Sequence, residues 1–253
     1  MSTDNTNANG IQTKRIAMVI SNPANATVNG QTAGFWWSEL THPFYEFIQA
    51  GYEVEIFSND GGACVADAMS DPRDQSGYAA NDLVTMGFIA TERLATLVAN
   101  TQKVADIDVA NFDGIFIVGG QGPMYTYEKA IDLQNKVVEF HEANKVIASV
   151  CHGAAIFKFA KTKDGAYITT GKNVGGFSNA EEDFIDQSMW QYGYLPQGTS
   201  YTPWRIEDAL KATGAQYHEG GLWKPFAVRD GKLVTGQQNF SGVVTAQKVI
   251  EAL

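Results

Sequence analysis

The stretch VIASVCHGAAIF, residues 146–157, decides how this chain is read. Val146 to Val150 form the short, nearly continuous apolar run expected of a strand buried on both faces of a parallel sheet. The run ends in Cys151, a glycine follows two places later, and the sequence after it predicts a helix that starts at once. Strand, tight turn and helix in this order make a nucleophile elbow, in which the nucleophile stands at the carboxyl end of a strand and small neighbours let substrate approach. Ser149 replaces the elbow's usual first glycine. The positive end of the following helix lies beside the sulfur, which predicts a bias toward thiolate, the nucleophilic form. The plain alternative is a buried cysteine acting as a small hydrophobe.

Working outward, residues 15–21, 53–57 and 114–118 have the same apolar character, and helical patterns lie between them, notably over 37–50 and 133–143. Strands alternating with helices predict an α/β fold with a doubly wound, flavodoxin-like, mostly parallel sheet sandwiched by helices. Residues 225–228 and 232–235 flank Asp230-Gly231, a dipeptide that suits a type I′ turn, so an antiparallel hairpin joins the sheet near the C-terminus. Residues 240–253 place Val243, Val244, Val249, Ile250 and Leu253 at helical spacing. The polar residues 1–13 read as a flexible tail, and 14–253 as one α/β domain. Two stretches, 60–78 and 189–203, read as long loops of the kind that form lids, binding elements or oligomer contacts. The second is rich in aromatics: Trp190, Tyr192, Tyr194, Tyr201 and, just beyond it, Trp204.

Composition narrows the function classes. The chain has 253 residues, with 18 Lys and Arg against 28 Asp and Glu, a formal charge of −10. This length supports a full core without disulfides or a structural metal. The acidic balance and the lack of a basic run argue against nucleic acid and membrane surfaces as partners. No stretch reaches the ~20 apolar residues of a spanning helix, and the polar start lacks a signal peptide's apolar core, which predicts a cytoplasmic protein. Its two cysteines, Cys64 and Cys151, read as free thiols.

A second chemical signal is DGIFIVGGQGP, residues 113–123. A strand runs into three glycines within four residues, leaving backbone N–H groups unobstructed. The N–H groups around Gly119 and Gly120, completed by that of His152, could hold a developing oxyanion. A phosphate cradle would look similar, but no Gly-Lys-Ser/Thr and no G-x-G-x-x-G is present. His141-Glu142 lacks the second histidine of a zinc protease, since Lys145 stands there, so no metal site is expected. His42 and His218 are isolated and read as satisfying local hydrogen bonds. Cys64, in a glycine-rich loop, could be an exposed thiol, a substrate-loop residue or a redox sensor, and is given no catalytic role.

The elbow ASVCHGAAIF, preceded by VGGQGPM, resembles the ThiJ/PfpI superfamily, specifically its glyoxalase III branch, which also contains stress-induced holding chaperones. Asn22-Pro23, GFWWSELTHP (34–43), Asp60-Gly61-Gly62, Asp71-Pro72, GFSNAEE (176–182) and LVTGQQN (233–239) extend the resemblance over most of the chain. It implies that Cys151 is the nucleophile, His152 the proton relay, and Glu182 the triad acid, with Glu181 and Asp183 adjoining it. It further implies that Glu39 reaches the sulfur, where burial would raise its pKa and make it a proton donor. Gln121 stands where many relatives carry histidine, and Ala154 where many carry proline.

The implied activity is conversion of methylglyoxal to lactate through a cysteine hemithioacetal, with no cofactor, a small dicarbonyl substrate, a role in stress and detoxification, and a homodimeric state. Other readings are a holdase chaperone, a protein deglycase, a PfpI-type peptidase or amidase, and a glutamine amidotransferase-like hydrolase in which His218-Glu219 would supply the distant histidine.

Overall fold

The computed structural model describes residues 13–28 and 30–253. The expected 1–13 tail, Thr13 apart, lies outside the described residues. A seven-stranded sheet forms the centre, its strands numbered here in chain order: β1 (Arg15–Val19), β2 (Glu53–Ser58), β3 (Gln102–Lys103), β4 (Gly114–Ile117), β5 (Val146–Val150), β6 (Ala227–Asp230) and β7 (Leu233–Gly236). Their spatial order is β6-β7-β5-β4-β1-β2-β3, and every pairing is parallel except that of β6 with β7. The apolar runs are the reason. Strands β4, β5 and β7 are buried along their whole length and β1 in all but Arg15, as a sheet covered on both faces requires.

Helices Trp37–Gln49 and Gly242–Ala252 pack side by side, and the second lies against β5 and β7. Helix Ile131–Glu142 covers β4 and β5 with Leu133, Val137 and Phe140. Strand order reverses between β1 and β4, because the chain leaves β1 toward β2 and later returns to β1's other side. The crevice outside the carboxyl ends of strands at such a reversal is where open α/β sheets hold ligands. Among the described residues no helix is long and apolar enough to cross a membrane.

The hairpin forms, but one residue from the expected register. Asp230 pairs with Leu233 inside the ladder, so the two-residue loop is Gly231-Lys232. Only Gly231 has positive φ, +64°, the pattern of a II′ rather than a I′ turn. Asp230 is held in the ladder by its other partners: its carboxylate accepts from Asn173 N–H at 2.9 Å, Asn173 Nδ2 at 3.0 Å and Lys172 Nζ at 3.1 Å.

Candidate active site

Strand β5 delivers Cys151 to the crevice at φ +57°, a left-handed conformation that non-glycine residues rarely adopt. The predicted helix starts at once, as a 3₁₀ segment over Cys151–Lys158. Gly153 explains the tight approach: a Cβ there would stand 2.6 Å from the Ile117 carbonyl oxygen, so only glycine lets this segment settle onto β4. Cys151 is buried, and both cysteines are free thiols.

His152, the next residue, turns its ring back to the sulfur. Cys151 Sγ lies 3.4 Å from His152 Nδ1, and His152 Nε2 lies 3.1 Å from Glu182 Oε1. With Nε2–H donating to the carboxylate, Nδ1 is left to accept a proton from sulfur. Thr202 Oγ1 donates to the other Glu182 oxygen at 3.3 Å, and the Phe177 ring stacks on the imidazole at 4.3 Å between centroids. Histidine and glutamate are both essentially inaccessible to solvent.

The structure separates Glu182 from its neighbours. Glu181 closes a capping box with Ser178 at the start of helix Asn179–Gln191 and accepts from Gln237 Nε2 at 2.8 Å. Asp183 is exposed and pairs with Arg205. The sequence carried a signal that would have decided between the two glutamates: Ser178-x-x-Glu181 is the capping-box pattern, which commits Glu181 to the helix start.

Glu39 lies in the first turn of helix Trp37–Gln49, fully buried beside the sulfur. Burial, above all, raises its pKa well above the ordinary carboxyl value; the nearby Asp67 charge adds to this, while Cys151 Sγ and the Gly119 N–H face the carboxyl and oppose it. Among the described residues no partner reaches full hydrogen-bonding geometry with either Glu39 oxygen. The direction is the one expected of a carboxyl buried beside the sulfur.

The bias toward thiolate expected of the helix start is opposed: burial, above all, pushes the Cys151 thiol up, and the N–H groups of His152 and Gly120 act against this. Desolvation outweighs the partial charge of a helix start. The glycine turn also divides its work: Gly120 and His152 present N–H to the sulfur, whereas Gly119 presents its N–H to Glu39.

Sequence reasoning missed Asp67, in the 60–78 stretch. Its buried carboxylate accepts from Gly34 N–H at 2.8 Å and from Gln121 N–H at 2.6 Å, clamping the loop before helix Trp37–Gln49 to the glycine turn. Burial raises its pKa from 3.8 to about 7, against those two donors. No spacing pattern marks such a residue.

A cavity of about 410 Å³ opens above the sulfur, lined by Trp36, Glu39, Gln121, Cys151, His152 and Phe177 among others. Of the aromatic loop, Tyr201 lines it, while Tyr192 and Tyr194 face solvent. His42 binds Asp82 at 2.9 Å and His218 binds Asn173 at 2.7 Å, each away from the cavity lining, so neither serves Cys151. Cys64 is buried near Asn22 and Thr101, and burial raises its pKa, which corrects the first of its three readings, that of an exposed thiol.

Known proteins with this sequence pattern agree on the family. The DJ-1/PfpI family model matches residues 32–195. The chain is 31% identical over 226 residues to Glyoxalase 3 of Candida albicans, covering 88% of this chain and 91% of that one. It is also 31% identical over 229 residues to a glutathione-independent glyoxalase of Saccharomyces cerevisiae, covering 89% and 91%. The solved Rapid Encystment Protein of Francisella tularensis superposes with a TM-score of 0.82 at 27% identity, covering 94% of this chain and 98% of the other. A strand-borne cysteine beside its own histidine, on this sheet and with these relatives, makes the chain a member of the DJ-1/PfpI (ThiJ/PfpI) family, in its glyoxalase III-like branch.

Proposed function

We propose that the protein is a cofactor-independent glyoxalase that converts an α-oxoaldehyde, such as methylglyoxal, to the 2-hydroxy acid, with Cys151 as nucleophile and His152, Glu182 and Glu39 as the proton-handling groups. One observation carries this reading. A buried thiol lies between a histidine–glutamate pair and a second buried carboxyl whose pKa is raised. A hydrolase needs only the first partner, whereas an internal proton transfer needs a base on one side and a proton carrier on the other.

The steps balance without an external oxidant. His152 takes the thiol proton as sulfur bonds to the aldehyde carbon, and Glu39 protonates the resulting oxyanion, which the N–H groups of Gly120 and His152 hold meanwhile. The ionised Glu39 then removes the hydrogen from that carbon while His152 protonates the ketone oxygen, giving an enediol. Glu39 returns the proton to the second carbon as His152 takes the first hydroxyl's proton, leaving a thioester. Water attacks the thioester carbon and gives its proton to Glu39, restoring the acid of the first step, as His152 reprotonates the departing sulfur. One carbon is oxidised and its neighbour reduced, with net addition of one water.

The test is lactate formation from methylglyoxal by the purified chain without glutathione or added metal. Turnover abolished in Cys151→Ala supports the reading. A folded wild type with reduced Cys151 and no turnover overturns it.

A further inference from the structure

The cavity is far larger than methylglyoxal. Five heavy atoms, at no more than a water's ~30 Å³ each, fill roughly 150 Å³, whereas the cavity measures about 410 Å³, inside the ~300–1,000 Å³ range of pockets for drug-sized ligands. Its ionisable groups other than Tyr78 and Tyr201, namely Glu39, Cys151 and His152, gather at the sulfur, and among the described residues no Lys or Arg lines the rest. The remainder is largely aromatic and sulfur-bearing: Trp36, Met69, Tyr78 and Phe240 line it together with a continuous aromatic wall.

That wall begins at the proton relay. Phe177 stacks on the His152 ring, Trp223 stands edge-on to Phe177 at 6.0 Å, and Phe184 edge-on to Trp223 at 5.6 Å. Trp223 is held there at a conformational cost: its φ is +55°, which a bulky residue adopts only when its surroundings impose it. Glu181 imposes it by accepting the Trp223 backbone N–H at 3.1 Å, while Gln237 and Ser178 fix the carboxyl. A substrate with its aldehyde carbon at Cys151 meets this wall at His152 and can run its substituent along it.

Resting on the proposed glyoxalase reading, we infer that the substrates are neutral α-oxoaldehydes bearing a bulky apolar or aryl substituent, and that Trp223 determines this specificity. The reaction consumes one water per substrate as before, and the substituent takes no part in bond making.

The experiment compares kcat/KM for phenylglyoxal and methylglyoxal, reading the 2-hydroxy acids by chromatography, in wild type and Trp223→Ala. Wild type should favour phenylglyoxal at least tenfold, mostly through KM, and the variant should lower that ratio at least fivefold. The ratio between proteins cancels the two aldehydes' different intrinsic reactivity. A wild type that prefers methylglyoxal, or a ratio unmoved by the substitution, overturns the inference and leaves the glyoxalase reading intact. Should Trp223→Ala fail to fold, Phe184→Ala on the exposed lip of the wall carries the same expectation. Binding is read separately by protection of Cys151 from iodoacetamide: acetophenone should protect at a concentration at least tenfold below that of acetone. Equal protection overturns the apolar pocket whatever the chemistry. Absence of turnover with both aldehydes, alongside selective protection by acetophenone, overturns the glyoxalase reading alone.

Discussion

Replacing Asp67 by asparagine should reverse its effect on stability between acid and neutral pH. In the folded protein this carboxyl titrates at about 7, against 3.8 for the ordinary group. Well below pH 3.8 both states are protonated and the group adds no pH dependence to stability. As pH rises from there, the unfolded chain ionises first, so the native state binds more protons and loses stability until pH passes about 7. Raising a carboxyl from 3.8 to about 7 corresponds to about 4 kcal/mol. The asparagine variant has no such slope, but its amide offers one oxygen to the two N–H groups of Gly34 and Gln121, and the orphaned donor costs ~1–3 kcal/mol. Wild type should therefore lead by that amount at pH 4 and trail by a similar amount at pH 8. The Asp67 charge also raises the Glu39 pKa, so removing it acts in the same direction. Urea unfolding followed by tryptophan fluorescence from pH 4 to 8 measures the difference. A difference independent of pH, or one that grows in favour of wild type as pH rises, would refute the reasoning: the two backbone donors would then hold Asp67 ionised despite its burial.

Two further substitutions test the sulfur's surroundings. Glu39→Gln should lower turnover by ~10²–10⁴-fold, the range for loss of a positioned proton carrier. Its stability relative to wild type should grow as pH rises above 4.5, since Glu39 is raised above that value on folding. Gly119→Ala places a methyl 2.4 Å from Glu39 Oε2 and 2.6 Å from the Val150 carbonyl oxygen. It should cost ~1–3 kcal/mol as overpacking, read as a fall in Tm, and about 100-fold in turnover by displacing the carboxyl. Gly87→Ala, where the methyl meets nothing, is its control.

The sheet was legible because burial on both faces writes itself as runs such as RIAMV and VIASV, and the elbow because a cysteine at a strand end followed by small residues has few other uses. What escaped depends on contacts distant in sequence. Asp67 owes its role to Gly34 and to Gln121, 54 residues away, and Trp223 owes its backbone conformation to Glu181, 42 residues before it. The bias expected of the Cys151 thiol is opposed for a related reason: a helix start is visible locally, but the burial that raises the thiol pKa is not. The hairpin slipped by one residue because Asp230 answers to Asn173 and Lys172, which no dipeptide rule includes.

The placement of β7 beside β5 also sets a timetable for synthesis. Strand β5 ends at Val150 and its neighbour β7 begins at Leu233, 83 residues later. At ~5–20 residues per second, a ribosome leaves β5 with an open edge for about 4–17 s. Through that interval an apolar strand offers its unpaired backbone to other chains. Cys151 meanwhile stands at the end of that strand before Asn239 and Phe240, two residues of its cavity lining, have been made. The residues from Leu233 on thus complete the cavity lining as well as the sheet.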